Sequence, residues 1–219
     1  MERHQLAALI DHTLLKPEAT AVQVEQLCAE AALHAFASVC VSPTHVARVA
    51  EALAGHPSLA CSVIGFPSGA HRAAVKAEEA ARAVADGAQE LDMVIDLGGL
   101  LDHGARSVEA EVAAVRAAAG DGVGLKVIIE SAALDDERIV VACQAAVSGG
   151  ADMVKTSTGF HPSGGASTDA VTLMRATVGP QVGVKASGGI RSYEDAVAMV
   201  EAGASRLGMS AGVAVVTGA

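Results

Sequence analysis

The chain has 219 residues, 51% hydrophobic and 18% charged, which is ample material for a core and excludes a disordered chain. Its net charge of -10 and aromatic content of 2%, with no Trp and one Tyr, exclude the basic footprint and the stacking surfaces that nucleic-acid binding needs. The N-terminal MERHQLAALIDH has charges at once and too short an apolar run for a signal peptide, and no stretch approaches the ~20 apolar residues of a membrane span; the expected protein is cytoplasmic, with a small-molecule partner rather than nucleic acid or membrane.

Apolar runs recur along the chain, each followed by a turn and a helical stretch. IDHTLL (10–15) precedes a segment with Val24, Leu27 and Ala31 on one face, FASVCV (36–41) precedes PTHVARVAEALAG, and LACSVIGF (59–66) precedes HRAAVKAEEAARAVADG. ELDMVI (90–95) precedes a segment in which Val108, Val112 and Val115 fall at helical spacing. VGLKVIIE (123–130) is followed by DDERIVVACQAAVSGG, ADMVKTS (151–157) by TDAVTLMRATVG, and VGVKAS (182–187) by SYEDAVAMVEAGA. RLGMS (206–210) has only nine residues after it, so the last helix is expected to be short. Several helices end in G-A or G-G. Strands alternating with helices mean parallel strands covered on their outer faces. Eight of them fit a single-domain (β/α)8 barrel over residues 1–219, with an open doubly wound sheet as the alternative.

Four cysteines (Cys28, Cys40, Cys61, Cys143) form no C-x-x-C pair and lie far from clustered histidines, so reduced, mostly buried thiols are expected rather than disulfides or zinc. The eight histidines show no H-x-H or H-x-x-x-H pair, which disfavours a metal-dependent reaction; most of them read as surface or capping residues.

There are ten arginines but only five lysines, and three of those lysines, Lys126, Lys155 and Lys185, sit inside strand candidates at spacings of 29 and 30 residues. That interval is one βα unit. In a barrel the three would occupy comparable places on adjacent strands, with Asp92 one strand earlier. A single strand lysine usually belongs to an ion pair or reaches solvent; three at one period point to chemistry. Arginine cannot lose its proton in a protein, whereas a desolvated lysine beside another cation can. The free amine attacks a carbonyl, and the resulting iminium accepts electrons from a breaking carbon–carbon bond. Asp92 and a second lysine would move protons. This is class I aldolase chemistry, and it requires no metal or other cofactor. Spacing alone does not choose between Lys155 and Lys185 as nucleophile.

Three late strands run into TSTGF (156–160), SGGIRS (187–192) and GMSAG (208–212), loops whose backbone N–H groups suit a phosphate at the end of a barrel. GMSAG also matches G-x-S-x-G, but no acid or histidine follows Ser210, so a serine hydrolase is excluded. No G-x-G-x-x-G or Walker loop follows a strand. A Schiff-base enzyme for some other short sugar phosphate and a non-catalytic phosphometabolite-binding barrel remain alternatives.

IDHTLLKPEAT, VCVSP, VIGFPSG, ELDMVIDLG, LKVIIES, VKTSTGF, VGVKASGGIRS and RLGMSAG, in order over nearly the whole chain, resemble the deoxyribose-phosphate aldolase family. The resemblance implies a (β/α)8 barrel and reversible cleavage of 2-deoxy-D-ribose 5-phosphate to glyceraldehyde 3-phosphate and acetaldehyde, in deoxynucleoside catabolism. It implies Lys155 as the Schiff-base former, Lys185 and Asp92 as the proton relay, and Lys126 in a supporting role. It places Gly159, Gly188, Gly189 and Ser210 in the phosphate loops. A homo-oligomer, dimer or larger, is implied too, and would help to cover the last strand. Phe160 stands where some longer members have a lysine, and Ala211 where some have a second serine.

Overall fold

The computed structural model describes residues 1–218. Eight parallel strands close into a barrel in sequence order, with β1 (Ile10–Leu14) hydrogen-bonded to both β2 (Ser38–Val41) and β8 (Arg206–Met209). Closure decides against the open sheet. Between them run β3 (Leu59–Ile64), β4 (Glu90–Val94), β5 (Gly124–Ile128), β6 (Met153–Lys155) and β7 (Gly183–Ser187). Strand β6 is shorter than its apolar run because the chain leaves the ladder after Lys155 to form the TSTG loop.

Ten helices surround the barrel among the described residues: α1 (Arg3–Ala7), α2 (Ala21–His34), α3 (Val46–Ala52), α4 (Ala73–Ala85), α5 (Leu97–His103), α6 (Ala105–Ala119), α7 (Asp136–Ser148), α8 (Thr168–Val178), α9 (Tyr193–Glu201) and α10 (Gly212–Thr217). The sequence pattern shows neither α1 nor α5, since each is under two turns and α5 carries Gly98 and Gly99 inside it. α10 is short, at six residues.

Side chains of a strand alternate between faces, and here the alternation separates two environments. Leu91, Met93, Leu125, Val127, Val154, Val184, Ala186 and Leu207 face outward into one continuous apolar layer beneath the helices. On α2 the buried positions are Val24, Leu27, Cys28 and Ala31, the face expected from spacing. The opposite positions point to the barrel axis, where Cys40, Cys61 and Val63 form a small separate cluster beside the charged groups described below. All four cysteines are free and buried. His12 departs from the surface role expected of most histidines: it is 2% exposed on the outer face of β1, its Nε2 2.7 Å from Glu30 on α2.

The expected need for a second subunit over the last strand does not arise. Leu207, Gly208 and Met209 are buried within the single chain. α1 packs against α10, and the Arg3 guanidinium donates to the Val215 carbonyl at 2.6 Å.

The lower end of the barrel is held by a device used twice. In α6, Arg116 donates to the carbonyls of Gly120, Val123 and Gly150, tying the end of its helix to the feet of β5 and β6. In α8, Arg175 donates to Gly179, Val182 and Gly203 in the same pattern. Both helices stop at a glycine with positive φ, Gly120 and Gly179, whose carbonyl the arginine then takes. Removing the guanidinium leaves several part-buried acceptors without a partner, which costs roughly 1–3 kcal/mol. Arg175→Met is therefore expected to lower the unfolding free energy by about that amount in urea titrations, and a loss indistinguishable from zero would remove the device from the account of stability.

Candidate active site

Seven acidic and basic side chains meet inside the barrel. Asp92 of β4 is fully buried; its Oδ2 accepts from Lys155 and from Lys185, each at 2.6 Å, and its Oδ1 accepts from Lys126 at 3.0 Å and from the Cys61 thiol at 3.4 Å. Lys185 also bonds Asp11 of β1. Lys126 reaches Glu90 at 2.6 Å and lies 3.6 Å from Asp11. Arg206, at the foot of β8, closes the floor by donating to Asp11 at 2.6 Å and to Glu90 at 3.0 Å.

The structure therefore brings Asp92, Lys126, Lys155 and Lys185 together, but not at one height. Lys155 and Lys185 are register partners, whereas Lys126 stands opposite Met153, two residues before Lys155. The equal spacing of 29 and 30 residues suggested comparable places for all three lysines; β6 joins the ladder at a stagger that sends Lys126 toward the floor and leaves Lys155 uppermost.

The sequence reading missed Asp11, Glu90 and Arg206. Asp11 lies in an apolar run, IDHTLL, just as Asp92 lies in ELDMVI, so the same signal was available. Glu90 and Arg206 sit at strand starts, where charge is ordinary; only closure, bringing residues 116 positions apart together, gives them a role.

Burial alone would raise the Asp92 carboxyl, but Lys126, Lys155 and Lys185 outweigh it and hold it well below the usual carboxylate range. Burial likewise opposes ionisation of Asp11, and Lys185, Lys126 and Arg206 reverse the sign. Desolvation disfavours the ammonium of Lys126 and of Lys185, yet Asp92 and Asp11 among their neighbours raise both above the ordinary lysine value. Lys126 and Lys185 are thus both biased toward the ammonium form. Lys155 has one carboxylate partner where Lys185 has two and Lys126 three.

Above Lys155 opens a cleft of about 310 Å³, a size that suits a small ligand. Its walls come from the loops after β1, β6, β7 and β8, and Lys155 is the one buried lysine that lines it among the described residues. Gly159, Gly188, Gly189 and Ser210 all line it. The N–H groups of the three glycines have no acceptor among the described residues. Glycine is required at Gly188, where φ is +86° and an added Cβ would meet the Gly165 Cα at 3.0 Å, and at Gly165, where it would meet the Gly188 carbonyl at 2.3 Å. Two exposed cations that the sequence reading did not single out, Lys16 and Arg191, stand on the rim. Phe160 lines the cleft half-exposed, with its ring edge-on to Phe66 at 5.3 Å between centroids.

Cys40, Cys61 and Asp92 present three possible ligand atoms within 4.8 Å of one another. The Asp92 oxygens already take three ammonium groups, so this corner is ordered as an ion-pair core.

A closed barrel in which one buried lysine opens onto a small cleft at the strands' C-terminal ends is the layout of a carbonyl-active barrel enzyme. Residues 5–218 match the DeoC/LacD family of aldolases, and the chain belongs to that family. It is 60% identical over 208 residues to the deoxyribose-phosphate aldolase of Kocuria rhizophila, covering 95% of this chain and 94% of the relative. A solved structure from Coccidioides immitis matches with TM-score 0.95 at 44% identity, covering 100% of this chain and 87% of the other. The tetrameric deoxyribose phosphate aldolase of Aeropyrum pernix matches with TM-score 0.91 at 37% identity, covering 98% and 91%. No helix among the described residues is long and apolar enough to cross a membrane.

The pH dependence of stability follows from the ion network. Asp92 and Asp11 lie lower in the folded than in the unfolded chain, so their contribution is complete above about pH 4 and is lost as the pH falls toward their folded values. Lys126 and Lys185 lie higher when folded, so theirs is complete below about pH 10 and lost as the pH rises through the folded values. The urea midpoint should be flat between about pH 7 and 9 and drop below about pH 4, with a smaller acid drop in Asp92→Asn; a midpoint that rises as the pH falls below about 4 would contradict these charge states.

Proposed function

We propose that this aldolase reversibly cleaves 2-deoxy-D-ribose 5-phosphate to D-glyceraldehyde 3-phosphate and acetaldehyde through a Schiff base on Lys155. The observation that carries the proposal is the asymmetry among the lysines. Lys155 alone has a single carboxylate partner and alone of the three faces the cleft. Three carboxylates (Asp11, Glu90, Asp92) share the interior with Lys126, Lys155, Lys185 and Arg206, and release of the Lys155 proton leaves three cations facing three anions. This is what supports Lys155 over Lys185.

In this mechanism the neutral Lys155 amine attacks C1 of the open-chain aldehyde, and the carbinolamine loses water to give an iminium. Asp92, with Lys185 on the same oxygen, takes the proton of the C3 hydroxyl by way of a water. As the C2–C3 bond breaks, its electron pair moves onto C2 and into the iminium, giving an enamine while C3 becomes the aldehyde of glyceraldehyde 3-phosphate. Protonation of the enamine at C2 and hydrolysis free acetaldehyde and restore the amine. Lys126 supports the cycle by holding Asp92 ionised. The phosphate lies among the N–H groups of Gly159, Gly188 and Gly189 and beside Ser210, with Arg191 and Lys16 as the nearest cations; Phe160 supplies none. No cofactor enters any step. Free buried cysteines fit a cytoplasmic enzyme of deoxynucleoside catabolism, and the tetrameric relative supports a homo-oligomer.

Borohydride reduction in the presence of acetaldehyde or deoxyribose 5-phosphate, followed by peptide mapping, should place a substrate-dependent adduct on Lys155. An adduct on Lys185 would exchange the two roles, and none on folded protein would favour a sugar-phosphate-binding barrel. Lys155→Leu should abolish cleavage while circular dichroism stays native. Lys185→Leu should lower kcat about 10²–10⁴-fold, the usual weight of a positioned proton-transfer group; near-native turnover in either variant would refute its role.

A further inference from the structure

Glu130 has no part in the chemistry above, yet it is held in an unusual way. It follows β5 with φ 55° and ψ 54°, one of two non-glycine residues with positive φ among those described. Left-handed backbone is unfavourable for a residue with a Cβ and persists where surrounding structure imposes it. The cause is an uneven register just past the ends of β5 and β6. In a regular parallel ladder, donors two residues apart meet acceptors two apart. Here Ile129 and Ser131 donate to Lys155 and Thr156, acceptors only one residue apart, so Glu130 is the extra residue. One extra residue between two such hydrogen bonds re-aims its side chain, as it does in a β-bulge.

The re-aimed carboxylate is 2% exposed and has no ion-pair partner among the described residues. Its hydrogen bonds go to one residue. Oε1 and Oε2 accept the Thr158 N–H at 3.2 and 3.3 Å, and Oε2 accepts the Thr158 hydroxyl at 2.7 Å. The Thr158 hydroxyl oxygen in turn accepts the Phe160 N–H at 3.1 Å. A carboxylate is the acceptor-only group able to take both Thr158 donors at once. With Thr158 fixed at one end and Phe160 at the other, the Gly159 N–H between them is set in the cleft wall.

We propose that Glu130 is the positioning residue of the anion subsite, fixing the Thr158–Phe160 loop so that the cleft is shaped for a phosphate before one arrives. The proposal rests on the reading of the cleft as a sugar-phosphate site. It assigns Glu130 no contact with the reacting carbons, so its removal should weaken phosphate recognition and spare imine formation.

The test compares wild type with Glu130→Gln, which keeps the volume but replaces one acceptor with a donor, and with Thr158→Val, which removes the partner hydroxyl. In Glu130→Gln the KM for deoxyribose 5-phosphate should rise about tenfold, the weight of one lost charge-assisted hydrogen bond, and the affinity for inorganic phosphate, read by ³¹P NMR titration, should fall in parallel. The KM for unphosphorylated 2-deoxyribose and the yield of the acetaldehyde adduct on Lys155 should not change. The Glu130→Gln/Thr158→Val double variant should be no worse than the worse single variant, because both act through one contact. Equal losses for the phosphorylated and unphosphorylated sugars, a phosphate affinity equal to wild type, or additive effects in the double variant would overturn the proposal. Wild type that traps acetaldehyde but binds no phosphate would overturn it with the Schiff base intact; wild type that binds phosphate but traps no aldehyde would instead sink the aldolase mechanism, leaving the Glu130 comparison readable in the phosphate titration.

Discussion

The structure depends on one shared carboxylate. Asp92 lies at the barrel axis with no exposure, and an ion there is tolerable only if cations surround it. Lys126, Lys155 and Lys185 supply them, but each fixed ammonium creates the same demand in reverse, which Asp11 and Glu90 meet and Arg206 completes. Each member is present because another would otherwise be uncompensated. Such a network adds little to net stability compared with a packed apolar core. What it supplies is position, by holding Lys126 and Lys185 against the same carboxylate as a third amine that opens onto the cleft.

The apolar periodicity shows the barrel almost completely, because outward-facing strand residues must meet helices and so read as eight recurrent runs. The lysines are legible for the same reason in reverse: a charge inside such a run is conspicuous. The sequence does not reveal height within the barrel. Lys126 and Lys155 are one βα unit apart, yet the stagger of β6 separates them by two residues in register, which decides that one lies near the floor and the other below the cleft. Nor could it separate Lys155 from Lys185, since the difference is a count of carboxylate neighbours. The supposed exposure of β8 came from counting the residues after it, whereas α1, from the other end of the chain, packs against α10.

The upper and lower ends of the barrel use the backbone in opposite ways. Below, Arg116 and Arg175 consume carbonyls at helix ends and strand feet, leaving few polar groups free. Above, close-packed glycines keep their N–H groups unpaired among the described residues, and the loops that carry them are held from the side. Backbone acceptors are consumed at one end and backbone donors left open at the other. Phe160, edge-on to Phe66, gives the mouth of the cleft an aromatic rim where charge would otherwise be the simplest choice for an anion.

The two arginine staples join residues within one or two neighbouring units, with separations of 4 to 34 positions. The interior network is different, since Lys185 is 93 positions from Asp92 and 174 from Asp11, and Arg206 is 195 from Asp11. Local contacts form early and distant ones only after large loops have closed. Units can therefore acquire their helices, their feet and the Asp92–Lys126 pair of neighbouring strands by local contacts, while the contacts of Lys185 and Arg206 with Asp11 form only when the first strand meets the last two. Until then the interior lacks the Lys185–Asp11 and Arg206–Asp11 contacts. Completion of the charged interior is thus coupled to closure of the barrel itself.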